Sequence, residues 1–585
     1  MRVFLDLMWY FKSKKWRYAF AVATLAAVAL LALIPPHIVG VAVNAIQHHS
    51  VTRGRLLAWL LIIAGAALSS YGFRYVWRWL LFGAAIDLST TLRERLFHHF
   101  TQMSPQFYQT KRVGDLMAHA TNDIQAVEQT AMEGILTLVD SITTGTVVIA
   151  TMAVTISWPL TIVALLPMPA MAFATSRYGK LLHHRFDKAQ AAFSDLNDRV
   201  QENLSGVRVI KAFGQEDIEI REFSALSQDV VDKNYAVAKI DALFDPTIQI
   251  IVGVSYFLSV AVGAYFVAHG RLSIGGLTTF TMYLGQLIWP MLAFGWLFNI
   301  VERGHASYDR IQTLFAIQPE IVDRPEATAA PISGDIEYNV TRFSYPGAAH
   351  AALADLRFTV LRGQTLGVVG RTGSGKTTLL RLLLREFDIE HGFIAIGGVS
   401  INAAKKEALR AAIAYVPQDH FLFSATIAEN IAFARPLASH DDIERAARIA
   451  GVHDDIVRFP DGYATVVGER GVTLSGGQKQ RISIARALLL DAEILILDDS
   501  LSAVDARTEA HILNSLRQER TGRTTLIASH RLSAIQHASL IVVLDGGKVA
   551  ERGAHVDLMQ RCGLYAAMYQ RQQLEELVAE GGMRA

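Results

Sequence analysis

Apolar positions are spread unevenly along this 585-residue chain. Six stretches, at about residues 18–46, 56–81, 135–156, 160–176, 243–268 and 277–300, are apolar over lengths that suit a membrane span. A span needs about 20 such residues, because about 30 Å of hydrocarbon is crossed at about 1.5 Å per residue. The connections alternate: 48–55, 157–159 and 269–276 are short, whereas 83–134 and 177–241 are long, polar and helical in pattern. Near residue 316 the hydropathy falls, and 318–333 is rich in Pro and Ala without apolar period, as a linker is. Beyond it short β-like runs alternate with helical ones, the pattern of a mostly parallel α/β sheet. The predicted fold class is multidomain: an all-α six-helix transmembrane domain with long cytosolic helical extensions (1–315), a linker (316–333), an α/β domain (334–570) and a C-terminal tail (571–585).

A mean hydropathy of +0.27 conceals this gradient. The net charge of +1 offers nothing to attract nucleic acid, so none is expected as a partner; membrane lipid is. The single cysteine, Cys562, excludes an internal disulfide and a Cys-based metal cluster, and reads as a thiol in a C-terminal helix. The apolar run behind Lys12, Lys14, Lys15 and Arg17 is too long for a cleavable signal and reads as the first span. Basic residues at the N-terminus and in the long connections (Arg93, Arg95, Lys111, Arg112, Arg177, Lys180, Arg185) place both termini and the long loops in the cytosol. Within the spans, Arg74 and Arg78 share a helical face, and Asp140 lies at similar depth in the third span. Charges in that setting serve function, or form a structural Arg–Asp pair, or snorkel to the interface. Met282, Gln286, Trp289 and Trp296 in the sixth span suit an adaptable pocket for flat, greasy ligands, and equally suit lipid-facing packing.

The run Gly370-Arg371-Thr372-Gly373-Ser374-Gly375-Lys376-Thr377 follows an apolar strand at 365–369 and precedes a helical pattern at 378–384. This is a P-loop in the strand–loop–helix setting it requires. Glycines let the backbone wrap phosphates, and a helix N-terminus favours anions. Lys376 can reach the β- and γ-phosphates of ATP and the Thr377 hydroxyl can hold Mg²⁺, with Thr378 beside it at the nucleotide. A second strand, 493–498, ends in Asp498, the acid that completes a Mg²⁺ shell. A third, 524–528, leads to His530, where a γ-phosphate would lie if the ligand sits at the carboxyl ends of the strands. Taken alone, a histidine at a strand end is ordinarily structural.

Between the P-loop and the Asp498 strand stands Leu474-Ser475-Gly476-Gly477-Gln478. With that pentapeptide the chain resembles the ABC superfamily over essentially its whole length, and six spans ahead of the ATPase resemble the exporter arrangement. The resemblance implies an α/β P-loop ABC ATPase domain that dimerises head to tail, so that Ser475–Gly477 contact ATP held by the partner's P-loop. It further implies adenine stacking by Tyr345, a Mg²⁺- and membrane-sensing role for Gln418, and a loop joining the two sites at 502–505, with Ser502 and Asp505. Thr465 to Gly471, with Glu469, Arg470 and Gly471, resembles the exporter-specific segment, and 113–123 and 209–217 would be coupling helices. It also favours the pocket reading of the sixth span. Residues 108–123, Phe244-Asp245-Pro246 and 299–304 look most like the A subunits of heterodimeric bacterial multidrug-resistance-like exporters (the Mdl or Smd type).

One position departs from that family. Exporters with two active sites usually follow the Walker B Asp with Glu as the base that polarises water; here the residue is Asp499. One methylene less withdraws the carboxylate by about 1.5 Å, and misplacement of about 1 Å can cost about a hundredfold in rate. The expectation is a bacterial inner-membrane, ATP- and Mg²⁺-dependent exporter of small hydrophobic or amphipathic molecules. It would be one half of a heterodimer whose homologous partner carries the Glu. A homodimeric exporter of lipid or peptide, or a membrane regulator that does not pump, would share these motifs. A soluble ABC-type ATPase is disfavoured by the six spans, and an importer because importers generally carry the two domains on separate chains.

Overall fold

The computed structural model describes residues 2–468 and 472–582. Glu469, Arg470 and Gly471 of the expected exporter-specific segment lie outside the described residues, as do 583–585 of the tail. The chain divides into two units, Met1–Gln102 with Lys111–Gln318, and Met103–Thr110 with Pro319–Ala585.

The first unit is helical. Five stretches, Lys15–Gln47, Arg53–Gln102, Val113–Leu165, Glu216–Ala268 and Ile274–Ala316, are long and apolar enough to cross a membrane. A 50-residue helix such as Arg53–Gln102 is about 75 Å long, more than twice the hydrocarbon thickness, so part of it must run beyond the bilayer. The stretch from Val113 to Leu165 is not one rod. Ser157 is extended (φ −165°, ψ 114°), its hydroxyl accepts from the Leu160 N–H, and Pro159 follows in the first turn, so one helix ends there and Trp158–Leu165 begins. The fourth predicted segment is therefore shared between Trp158–Leu165 and the start of Met168–Ser205, interrupted at Leu166 and Pro167.

The first and sixth spans are joined along their length between Ala32 and Asn44. Pro35 and Pro36 lack N–H groups, so the carbonyls one turn before them lose their helical donors. The sixth span supplies a replacement at one of them, Gln286 Nε2 donating to Ala32 O at 2.9 Å, and the Tyr283 hydroxyl adds a second donor to Leu33 O at 2.9 Å beside the His37 N–H. Farther along, Thr279 Oγ1 donates to Pro36 O (3.3 Å), the Gly275 N–H to Asn44 Oδ1 (2.7 Å) and Asn44 Nδ2 to Ser273 Oγ (3.0 Å). Gly40 and Gly275 allow the close approach, since a Cβ on Gly40 would sit 2.5 Å from the Gly275 carbonyl oxygen.

Of the intramembrane charges, Arg74 and Arg78 are exposed on the second span, while Asp140 accepts from Thr144 Oγ1 at 3.2 Å. Among the described residues no ion pair joins Asp140 to either arginine. At the positions expected for coupling helices the chain forms two short helices, Val113–Ala118 and Val207–Phe213, the second flanked by Gly206 and a left-handed Gly214 (φ 61°). Just past the first, Asp123 is buried and accepts from His119 Nδ1 (2.6 Å) and Arg310 Nε (3.1 Å).

The second unit holds a six-stranded sheet in the order Lys548–Gly553, Leu540–Asp545, Thr365–Gly370, Thr524–Ala528, Ile494–Asp498, Ile413–Val416. Neighbours pair in parallel except at the Lys548–Gly553 edge. Strands Ile494–Asp498 and Thr524–Ala528 are buried at every residue, as strands covered on both faces are. A second, antiparallel sheet runs Leu353–Val360, Ile336–Phe343, His391–Ile396, Val399–Ser400. Two apolar cores result, one between the sheets and one between the parallel sheet and the helices after Ile413–Val416. This arrangement brings the carboxyl ends of three adjacent parallel strands, and the loops that follow them, to one edge.

Candidate nucleotide-binding and hydrolysis site

The loop after Thr365–Gly370 turns into the helix Lys376–Leu383. Gly375 makes that turn at φ 100°, a backbone conformation that favours glycine. Lys376 is buried and its Nζ donates to the loop's own carbonyls, Gly370 O at 2.9 Å and Arg371 O at 3.2 Å. Ser374 Oγ, equally buried, has no hydrogen-bond partner. Burial pushes the Lys376 ammonium down, opposed by the charges of Asp499 and Asp498. An orphaned hydroxyl, a lysine held only by carbonyls and the free N–H groups of a helix start form a donor set that suits a polyphosphate.

Asp498 closes the neighbouring strand. Its Oδ1 accepts from Thr377 Oγ1 at 3.0 Å and its Oδ2 from the Tyr415 hydroxyl at 3.3 Å. Burial pushes this carboxyl up, and the same two hydrogen bonds pull against it. The hydroxyl and carboxylate together are the oxygen ligands that Mg²⁺ takes alongside phosphate. Tyr345 packs edge-on against Phe343 and Phe387, and its hydroxyl lies 2.9 Å from Thr378 Oγ1, which fixes the ring beside the start of the P-loop helix.

Asp499 has a left-handed backbone (φ 47°), a conformation that asparagine and aspartate tolerate better than most residues. Its N–H donates to Ala528 O at 2.8 Å and its Oδ1 accepts from the His530 N–H at 3.4 Å. The His530 side chain is exposed on the loop beyond Thr524–Ala528, and Gln418 is exposed on the loop beyond Ile413–Val416. Lys376, Thr377, Asp498, Asp499 and the backbone of His530 are thus connected, directly or through one shared neighbour.

The Leu474–Gln478 pentapeptide stands apart. Leu474 is buried; Ser475 caps the helix Gly476–Leu489, accepting from the Gln478 N–H (3.3 Å), while Gln478 Oε1 accepts from the Ser475 N–H (3.0 Å). This reciprocal cap leaves Gly476 and the helix N-terminus exposed. Among the described residues, no hydrogen bond of 474–478 reaches 370–378. Asp505 likewise caps Ala506–Glu519, with Oδ1 accepting from the Thr508 N–H at 3.0 Å, and Ser502 Oγ donates to Asp499 O at 3.0 Å.

Two residues that motif reading passed over tie these parts together. Gln480, fully buried, donates to Asp499 O (3.4 Å) and accepts from the Ala503 N–H (3.0 Å). Arg531 donates to Val504 O (2.8 Å), Ser502 O (3.0 Å) and the buried Glu509 carboxylate (2.8 Å). A glutamine on the inward face of the helix that Ser475 starts was the available signal for the first; for the second there was none. In the sixth span, Met282, Trp289 and Trp296 fall seven residues apart on one exposed stripe, whereas Gln286 turns to the first span.

Two family models match: ABC transporter transmembrane region over residues 18–291 and ABC transporter over residues 353–502. The chain is 50% identical to the multidrug resistance-like ATP-binding protein MdlA of Escherichia coli, over 98% of this chain and 97% of that one. It is 46% identical to the probable multidrug resistance ABC transporter ATP-binding/permease protein YheI of Bacillus subtilis, over the full length of both. Among solved structures, a bacterial Atm1-family ABC exporter with ATP bound superposes with a TM-score of 0.80 at 30% identity, covering 95% of this chain and 98% of that one. Such matches, over both the helical unit and the α/β unit, show that the chain belongs to the half-size ABC exporters, multi-pass membrane proteins that couple ATP hydrolysis to transport.

Proposed function

We propose that the chain is the weakly hydrolysing half of a heterodimeric efflux pump for small hydrophobic or amphipathic molecules in a bacterial inner membrane, with both termini in the cytosol. Asp499 carries this reading: its carboxylate is one methylene short of the usual Glu, and it is engaged by the His530 N–H at 3.4 Å. The names of MdlA and YheI support the drug-like substrate class.

The chain's own residues divide the work. Lys376 leaves the Gly370 and Arg371 carbonyls to meet the terminal phosphates, and Ser374 gains the partner it lacks. Thr377 and Asp498 hold Mg²⁺, whose charge offsets that of the phosphates. Tyr345 stacks on the base, Asp499 orients water poorly, His530 faces the γ-phosphate, and Gln418 reports the state of the site toward the membrane unit. Arg371, Thr372, Gly373 and Gly375 wrap the phosphates at this chain's own site, whereas Leu474–Gln478 serve the other composite site, whose P-loop and Glu come from the other half. Closing of the ATPase pair through contacts absent when open shifts the membrane halves outward. Val113–Ala118 and Val207–Phe213 transmit that shift.

The test is ATPase activity of the purified chain in lipid nanodiscs, alone and with a Glu-bearing homologous half, with Lys376→Ala as control. Activity near zero alone and restored by the second half is the expected result. Robust activity alone, abolished by Lys376→Ala, would establish a homodimeric pump instead.

A further inference from the structure

A half-open cavity of about 350 Å³ lies in the membrane unit where the third, fourth and sixth spans meet. Its walls include Ser141 and Gly145, one turn apart on Ile135–Thr151, Met168 and Met171 on Met168–Ser205, and Pro290 and Met291 on Ile274–Ala316. Two features of the sequence keep it open. Gly145 presents no side chain, and a Cβ built there would meet nothing within 4 Å. Pro290 interrupts the hydrogen-bond ladder of the sixth span, which bends a helix away from close packing.

The walls are apolar except for the hydroxyls of Ser141 and Thr175. Ser141 is 7% exposed, and its Oγ has no hydrogen-bond partner. Other hydroxyls of this region are satisfied within their own helices: Thr144 by Asp140, Thr151 by Val147 O, and Thr175, which also lines the cavity, by Met171 O. A buried hydroxyl without a partner costs about 1–3 kcal/mol; a serine side chain turns about χ1, so swinging Oγ from its enclosed position toward a ligand oxygen in the cavity recovers that loss. Three methionines add soft, polarizable walls that favour aromatic rings and adapt to shape. The volume lies at the small end of the range of about 300–1,000 Å³ typical of ligand pockets.

We propose that this cavity binds a compact neutral molecule of about two rings carrying one acceptor oxygen, such as a diaryl ketone or an aryl amide, with Ser141 Oγ–H donating to that oxygen. The site lies wholly within one half of the transporter, away from the exposed stripe of Met282, Trp289 and Trp296. It rests on the export reading above and adds to it a ligand class and a place.

Benzophenone is a suitable probe, since it is a diaryl ketone and photolabels the residues it touches. The full-length chain in nanodiscs is irradiated with it, and the adducts are located by peptide mass spectrometry. Labelling is expected on the peptides of Met168, Met171 and Met291. Ser141→Ala should weaken it about fivefold at subsaturating probe, the effect of one hydrogen bond. Gly145→Leu, which fills the space, should abolish it, and Gly145→Ala, which adds one methyl and is safer for folding, should reduce it. Thermal unfolding confirms that each variant folds. Labelling scattered over exposed positions, or cavity labelling unchanged in either Gly145 variant, overturns the proposal. Labelling is read without turnover, so a chain labelled in the cavity that fails to export refutes the export reading alone. An exporting chain not labelled there refutes the cavity.

Discussion

At Asp499 backbone and side chain constrain each other. The left-handed φ of 47° suits Asp better than Glu, while the chemistry of the position asks for the longer acid. Asp499→Glu is expected to raise the ATPase rate of the chain alone by about tenfold to a hundredfold, measured by phosphate release, with Lys376→Ala silent in both backgrounds. Asp498 offers a second test. Burial raises its folded pKa, so the protonated form is favoured by the fold; that contribution is present below the unfolded pKa and gone once pH rises through the raised folded value. At neutral pH the ionised carboxylate is therefore a local liability until a cation arrives. Asp498→Asn should raise the melting temperature of the nucleotide-free chain and remove the stabilisation given by Mg²⁺-ATP. A lower melting temperature would show that the Thr377 and Tyr415 hydrogen bonds outweigh desolvation.

Among the elements, the loop that follows Asp499 is held from two sides, by Gln480 on the helix Gly476–Leu489 and by the Arg531–Glu509 pair. Gln480→Leu leaves the Ala503 N–H without its acceptor. It should lower turnover of the assembled pump by about tenfold with nucleotide affinity nearly unchanged, because geometry rather than binding is lost. In the membrane unit, burial would raise the Asp123 carboxyl, but hydrogen bonds from Arg310, His119 and Ser307 overcome it and hold it low. Its stabilising effect is present above the unfolded carboxylate range and disappears only as pH falls through the lowered folded value. Asp123→Asn should cost about 1–2 kcal/mol at neutral pH, discounted because Arg310 is half exposed, and the difference from wild type should shrink as pH falls below the ordinary carboxylate range. Long apolar periods and the P-loop made the spans, the α/β domain and the pairing of Thr377 with Asp498 legible in the sequence, since each follows from a motif or a pattern along the chain. The bridge through Gln480 and the hold of Arg531 on Glu509 rest on which residues meet in space. Ser475-x-x-Gln478 carries the capping-box spacing in plain sequence, masked as a cap because Leu-Ser-Gly-Gly-Gln announces a family first.

For the whole molecule, the pairing of the first and sixth spans sets a threshold. Five hydrogen bonds and a glycine contact clasp them: Gln286 to Ala32, Tyr283 to Leu33, Thr279 to Pro36, and Asn44 to Ser273 and Gly275. At about 0.6 kcal/mol for each such bond in a membrane, the clasp is worth about 3 kcal/mol, or about a hundredfold in an equilibrium constant. Any motion that parts these two helices works against that amount, so the clasp acts as a latch. Loosening it by Asn44→Ala with Thr279→Ala should populate the parted state without nucleotide. Spin-label distances between the two spans, in a Cys562→Ser background, would show it. A pump with too weak a latch would stand ajar and leak; one with too strong a latch would bind ATP and stay shut. Those few polar side chains thus set what it would cost to separate the first and sixth spans.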